Sequence, residues 1–322
     1  MSTASLSAEE LEALCFTGEE RFAAALESGP DAGWEAFAEI ENARRTTCNR
    51  YLGWVALEEE YVLETFGHEA HRELIRPERV VELALRSGLG LADLAQIQDV
   101  CCSADNPVAD RMRRALEGSD AEPALGVWHE SERILRAAHD LRRDLISDRL
   151  GQIYRRFGLG ALEDAMFYAA QRGWWSVSMP ADFALDPAVR LRNLTFFLTV
   201  CAYFRLRIEA EPERWVLHVD ECGRCGRQCR DRYFTDGWGL EVIEESVPAT
   251  FGRGSMTAYQ THAAVMHHMF AIDTVGAPWP VFDCRGLRED PSGCRLYVYP
   301  DPADTPDEFY EQVGRQRVIG AR

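Results

Sequence analysis

The sequence lacks lysine entirely: all 35 basic residues in the chain of 322 residues are arginine. This absence excludes chemistry that needs a lysine amine, such as Schiff-base catalysis, pyridoxal-phosphate anchoring and the phosphate-binding lysine of kinases and P-loop proteins. An anionic group of a ligand would therefore be bound by arginine, whose planar guanidinium matches the geometry of a carboxylate.

Positive charge is scarce as well. With 53 acidic residues against 35 basic ones, the formal net charge is −18. Such an acidic surface repels phosphate groups, so we expect no nucleic-acid partner and no membrane partner. The sequence also has no apolar run of about 18 residues and no signal-peptide pattern at its start. These features predict a soluble, cytoplasmic protein whose partner is a small-molecule substrate, and they leave a homodimer open.

Hydrophobic periodicity divides the chain into two regions. Hydrophobic residues make up 46% of the sequence, which is enough for a full core. Residues 1–195 have apolar positions at spacings of three and four, which is typical of helices. Residues 196–322 contain two pairs of alternating strands, near 203–220 and 279–299, on either side of a helix at 257–275. We predict an α+β fold in which a large helical N-terminal region packs on a small ββαββ domain with a cysteine-rich metal knuckle.

The strongest local pattern in the second region is a group of three cysteines, Cys222, Cys225 and Cys229. Two residues between the first two thiols allow both sulfurs to reach one metal ion across a tight turn. Neighbouring arginines would favour the thiolate form that binds metal. The pattern therefore predicts a metal site. Thiol redox or nucleophilic chemistry and unligated surface thiols are the alternatives.

Three thiols are one ligand short of the tetrahedral set that zinc usually takes. The expected sources of the fourth ligand are Cys284 and Cys294, which would face each other across the second hairpin, and His262 on the preceding helix. The alternative for the two hairpin cysteines is a pair of small core residues. Zinc is favoured over an iron–sulfur cluster because the cysteine spacing lacks the repeated two-residue interval of a ferredoxin.

A histidine-rich segment lies within the predicted helix of the second region. On an α-helix, His262 shares a face with Met266 and Met269, whereas His267 and His268 point sideways and away from it. His262 is therefore predicted to be a zinc ligand or a general base. Any single one of these histidines could instead be a polar or core-edge residue.

Further roles are assigned by residue type and position. Tyr259, one turn before His262, is predicted to shuttle a proton. Arg224, Arg227 and Arg253 are predicted to bind an anionic group of the substrate, since no lysine is present to do so.

The order of elements over about residues 195–300 resembles the small-molecule-binding domains named after 4-vinyl reductase. A β-hairpin and a cysteine-bearing segment are followed by a helix ending at Gly276 and by a second hairpin with Cys284 and Cys294. The same region is similar to the hydrolases that open 2-amino-thiazoline-4-carboxylate. The resemblance implies a small-molecule pocket, in which Cys284 and Cys294 hold zinc or face the cavity.

These observations predict a zinc-dependent enzyme that cleaves a small, polar, carboxylate-bearing substrate by hydrolysis or lyase chemistry. The nucleophile would be a metal-bound water or a thiolate. One alternative is a zinc-stapled protein that binds or senses a small molecule without catalysis, and another is an iron–sulfur redox protein. A zinc site closed by four protein ligands indicates a structural role, whereas three ligands and a water facing a cavity indicate catalysis.

Overall fold

A computed structural model describes residues 6–102, 107–118, 121–231, 233–234, 237–284 and 294–317. The fold is α+β, rich in helix with a small antiparallel sheet, as the sequence predicts. In the described part of the first region the helices are α1 (Ala8–Leu14), α2 (Gly18–Glu27), α3 (Pro30–Leu74), α4 (Pro77–Arg86), α5 (Leu91–Cys102), α6 (Pro107–Leu116), α7 (Glu122–Arg172), α8 (Trp175–Phe183) and α9 (Pro187–Phe196). None of the described helices is both long and apolar enough to cross a lipid bilayer.

Two long helices, α3 and α7, form the centre of the helical region. Each is broken at a glycine with positive φ, Gly67 at 85° and Gly158 at 86°. Side chains with a β-carbon are strained in that conformation, so glycine allows the chain to bend there. The rings just before the two breaks, Phe66 and Phe157, stack with centroids 3.8 Å apart. The two helices therefore bend at the same level and stay packed together.

The second region contains a four-stranded antiparallel sheet with strand order β1-β2-β6-β5. Both predicted hairpin pairings are confirmed, because β1 pairs with β2 and β5 pairs with β6. The elements of this region are β1 (Arg205–Ala210), β2 (Trp215–Glu221), α10 (Cys225–Arg230), β3 (Val242–Ile243), β4 (Met256–Thr257), α11 (Thr261–Ala264), α12 (Ala271–Val275), β5 (Val281–Asp283), β6 (Arg295–Val298) and α13 (Glu308–Glu311).

Two helical stretches of the chain take the wider π geometry, at Phe197–Cys201 after α9 and at Val265–Phe270 between α11 and α12. One apolar cluster joins the helical region to the sheet and contains Trp54 of α3 together with Leu296 of β6. The sheet therefore shares its core with the long helices, and the site described below lies where the two meet.

Candidate functional site

An aromatic pocket of about 250 Å³ lies between α8, the end of α9 and the start of β5. This is slightly smaller than the range of about 300–1,000 Å³ found for drug-sized ligands, so the pocket suits a small molecule. Its apolar walls are formed mainly by the rings of Trp174, Trp175, Phe197, Trp279 and Phe282. We call it the aromatic pocket below.

Arg224 reaches the aromatic pocket from the turn before α10. The residue is only 6% exposed, and its guanidinium carbon lies 4.9 Å from the ring centroid of Phe197. No hydrogen bond or ion pair joins this guanidinium to any residue that the structure describes, and its Nε atom is buried. An unpaired buried charge is strongly unfavourable, so the site is suited to receive an anion.

The charge of Arg224 is maintained by its surroundings. Burial by itself would lower the pKa of Arg224, but at the high pH where a guanidinium could lose its proton, the groups of Tyr51, Tyr259, Cys222 and Cys225 would be ionised and raise that pKa above its ordinary value. Arg224 is therefore charged at neutral pH. Both phenols are buried, and burial raises the pKa of each. Their hydroxyl oxygens have no partner among the described residues. Two neutral hydroxyl donors therefore accompany the guanidinium.

The histidine-rich segment is not a regular α-helix, so the predicted α-helical spacing is wrong there. A π-helix over Val265–Phe270 adds about one residue per turn, which brings residues five apart onto one face. The rings of His262 and His267 consequently lie 5.5 Å apart, and His267 borders the aromatic pocket. His267 was expected to point away from the site.

Hydrogen bonds define the tautomers of these histidines. The Nδ1 atom of His267 donates to the carbonyl oxygen of Trp279 at 2.9 Å, because a carbonyl can only accept. Its Nε2 is left as an acceptor with no partner in the described chain. Burial lowers the pKa of His267 to about 4, so the ring is neutral near pH 7. His267 can therefore accept a proton.

The other two histidines have different surroundings. His262 donates from Nδ1 to the carbonyl oxygen of Tyr259, and its Nε2 is also without a described partner. Burial holds the pKa of His262 well below its usual range. His268 accepts the Phe282 N–H through Nε2 at 2.8 Å. His268 is therefore used to attach the helix to β5.

A second, smaller cavity of about 20 Å³ is bordered by four cysteines and His262, and we call it the thiol cavity. The Sγ atoms of Cys222 and Cys225 are 3.9 Å apart. The Cys222 sulfur also accepts the backbone N–H groups of Arg224 and Gly226, both at 3.4 Å. Burial alone would raise the pKa of Cys222, but these contacts lower it to about 6. The four cysteines are Cys222, Cys225, Cys284 and Cys294.

The predicted knuckle of three thiols is not shown. Cys229 lies one turn along α10, does not border the thiol cavity, and has its pKa raised to about 12 by burial. Within the described ranges, no group of three or more His, Cys, Asp or Glu side chains is arranged to hold a metal ion. The fold instead brings the hairpin pair, Cys284 and Cys294, to the cavity of Cys222 and Cys225.

The other two predicted substrate-binding arginines are engaged elsewhere. Arg227 donates to both carboxylate oxygens of Asp144, at 2.8 and 3.0 Å. Arg253 donates to Asp283 at 2.9 Å and to the carbonyl oxygen of Cys284 at 2.6 Å. Neither guanidinium borders the aromatic pocket. Of the three, only Arg224 reaches it.

Helix α7 holds the turn that carries Arg224. Asp144 is fully buried and accepts from Gln228 at 2.8 Å as well as from Arg227. Arg143 donates to the carbonyl oxygen of Gly223, next to Arg224. Burying these charges is favourable only when they are fully paired. The contacts therefore define where Arg224 lies relative to the pocket.

No protein-family model, curated protein or solved structure matches this chain.

Sequence reasoning missed His267 and most of the aromatic walls as pocket residues, and it missed that Tyr51 lies near Arg224. Tyr51 belongs to α3, more than 170 positions before Arg224, and no local pattern connects the two. The adjacent pair Trp174-Trp175 is the one sequence signal that could have indicated the pocket, since buried aromatic residues often line ligand sites.

Proposed function

We propose that the protein is an enzyme that cleaves a small carboxylate-bearing substrate in the aromatic pocket, by hydrolysis or lyase chemistry. The observation that carries this proposal is Arg224, a buried guanidinium without a hydrogen-bond or ion-pair partner in the described chain. A carboxylate can take two parallel hydrogen bonds from a guanidinium, which satisfies both groups.

The other pocket residues supply the remaining functions. The aromatic walls exclude water and hold the apolar part of the substrate. His267 Nε2 accepts a proton, from an attacking water in hydrolysis or from the substrate in elimination. Tyr259, the predicted proton shuttle, and Tyr51 do not border the pocket, so their part in this proposal is to hold Arg224 and not to contact the substrate. In this proposal the proton acceptor is His267, and His262 lies behind it toward the thiol cavity.

We also propose that zinc binds in the thiol cavity, through Cys222, Cys225, Cys284 and Cys294. With Zn–S bonds of about 2.3 Å, the sulfurs of a tetrahedral site lie about 3.8 Å apart. The 3.9 Å between Cys222 and Cys225 fits this spacing, and the backbone donors to Cys222 favour a thiolate. Binding requires the hairpin pair to move toward them. Four thiolates leave no open position, so this zinc would be structural.

The test of the proposed function is binding of benzoate, measured by calorimetry on the whole protein. We expect the wild type to bind and Arg224→Gln to lose binding by about tenfold or more, since hydrogen bonds to charged groups contribute about 1.5–3 kcal/mol. Arg253→Gln is the matched control, because Arg253 does not border the pocket. Equal binding by wild type and Arg224→Gln would contradict the proposal.

One alternative function has support of its own. The thiol cavity is separate from the aromatic pocket, which is also what a zinc-stapled binding or sensing protein would need. Turnover of a substrate distinguishes the enzyme from the binding or sensing protein. A panel of small carboxylates incubated with the protein and analysed by mass spectrometry should give a cleaved product if it is an enzyme. Saturable binding without any product would favour the sensor. Visible absorption of the purified protein would favour an iron–sulfur cluster over zinc.

A further inference from the structure

A second arginine borders the aromatic pocket at its mouth. Arg50 of α3 is exposed, and its guanidinium carbon lies 4.8 Å from the ring centroid of Trp174. No ion pair or hydrogen bond connects it to any residue in the described ranges, although the chain carries an excess of acidic groups. Stacking on the indole holds the guanidinium beside the opening while its charge stays available.

The two pocket arginines lie on neighbouring rings. Arg50 stacks on Trp174 and Arg224 lies over Phe197, and the centroids of these two rings are 6.3 Å apart. One cation is therefore at the mouth and the other is buried within the same small cavity. A molecule that fills about 250 Å³ can contact both.

Positive charge exceeds negative charge at the pocket. Among the described residues that border it, only Asp182 is acidic, against the two arginines. The Asp182 carboxylate accepts the indole N–H of Trp279 at 3.4 Å; burial raises its pKa, and the nearby charges of Arg190 and Arg50 lower it. The pocket is thus net positive in a protein whose formal charge is −18.

We infer that the substrate carries two anionic groups, one bound by Arg224 within the pocket and the second by Arg50 at its mouth. This inference rests on the proposed function, since it takes Arg224 as the first anchor. Arg50 then acts as the residue that distinguishes dicarboxylates from monocarboxylates.

The experiment compares benzoate with isophthalate, which is benzoate carrying a second carboxylate, by calorimetry at low salt. We expect the wild type to bind isophthalate about fivefold more tightly, as a partly exposed ion pair contributes up to about 1 kcal/mol. Arg50→Gln should reduce this ratio to about one, and Arg50→Lys should keep most of it. The matched control is Arg113→Gln, because Arg113 also stacks on a tryptophan, Trp34, away from the pocket.

The outcomes separate this inference from the proposed function. The inference is wrong if the wild type binds both probes equally, or if Arg50→Gln keeps the preference for isophthalate. It is also wrong if Arg113→Gln loses the preference to the same extent. In each of these cases the proposed function stands, provided that Arg224→Gln still loses benzoate binding. If Arg224→Gln binds benzoate like the wild type, the first anchor itself is wrong and both proposals fail.

Discussion

The thiol cavity and the aromatic pocket are neighbours that share Arg224 in their walls, yet they differ in how their polar atoms are satisfied. In the thiol cavity, the Cys222 sulfur already accepts two backbone N–H groups and lies in contact with Cys225. At the aromatic pocket, Arg224 and the Nε2 atom of His267 have no partner in the described chain. Arg224 and the Nε2 atom of His262, which also border the thiol cavity, are without a partner too, so the difference lies in the Cys222–Cys225 pair alone. A polar pair that is already satisfied is suited to stabilise the fold, whereas an unpaired buried group is suited to bind a ligand.

Residues that are conspicuous in the sequence differ from those that border the aromatic pocket. The cysteines of residues 222–229 stand out in the sequence because they are close together. The residues of the aromatic pocket come from α3, α8, the end of α9, the turn before α10, the π-helix and β5, and none of them forms a motif. The close spacing of the cysteines therefore pointed to the segment that contains Arg224, but it did not reveal the aromatic pocket.

The strongest prediction concerns the stability of the fold around Arg224. Asp144→Asn removes the closest carboxylate partner of the buried Arg227, whose remaining partners, Asp140 and Asp231, lie at 3.4 and 3.5 Å. We expect a loss of about 3–5 kcal/mol in the free energy of unfolding, which is typical of a broken buried ion pair. Chemical denaturation measures this loss in the free energy of unfolding. Asp231→Asn is the matched control, because Asp231 is an exposed partner of the same guanidinium and should change stability by about 1 kcal/mol or less. Equal effects of the two variants would contradict the role given to Asp144.

The second prediction separates the two cavities. Cys222→Ser and Cys284→Ser should each reduce the zinc content of the purified protein, measured by elemental analysis, because a structural site needs all four thiolates. Cys229→Ser should keep the zinc content of the wild type, since Cys229 does not border the thiol cavity. If Cys229→Ser loses zinc and Cys284→Ser does not, the ligand set would have to include the three-thiol group instead.

The third prediction concerns an unpaired polar group away from both cavities. Glu58 is fully buried, and neither of its carboxylate oxygens has a partner in the described chain. Burial raises its pKa well above the ordinary value, so the folded protein holds a proton that the unfolded chain releases above about pH 4.5. This group therefore stabilises the fold least at high pH.

Glu58→Gln keeps the size of the side chain but cannot ionise. Relative to the wild type, its free energy of unfolding should rise by up to about 1.4 kcal/mol per pH unit above pH 4.5, until the folded pKa is reached. Urea denaturation at pH 4.5 and pH 8 measures the difference. Glu60→Gln, which changes a carboxylate that accepts from Tyr168, should lack this rise. A difference that does not depend on pH would show that Glu58 is charged in the folded protein.

The last prediction concerns the protonation state of His267. Because the pKa of His267 is about 4, its imidazole should stay neutral from pH 7 down to about pH 5, where an ordinary histidine is protonated. Below pH 6.5 the unfolded chain takes up a proton that the folded protein does not, so stability falls as the pH drops toward 4. NMR titration of the imidazole signals, assigned with His267→Gln, measures this. A midpoint near 6.5 would contradict the buried, neutral proton acceptor.

Much of the fold follows from patterns that are local in the sequence. Alternating apolar residues predict both hairpin pairings, and spacings of three and four predict the helical region. The histidine segment is different, because the π-helix at Val265–Phe270 depends on how the chain packs. Assuming 3.6 residues per turn placed His267 on the wrong face. The arginines that were predicted to bind substrate show the same limit, since no sequence pattern reveals that Asp144 and Asp283 pair with Arg227 and Arg253.

The composition of the chain settles which chemistry is absent. Without lysine, any side chain that is cationic at high pH must be arginine, and the acidic composition makes an unpaired arginine notable. Which arginine is unpaired depends on the folded structure. Pairing depends on distances between side chains far apart in the chain, and burial determines how strongly an unpaired charge needs a partner. Arg224 is the buried arginine that reaches the aromatic pocket, because α7 holds its turn against the wall formed by Phe197.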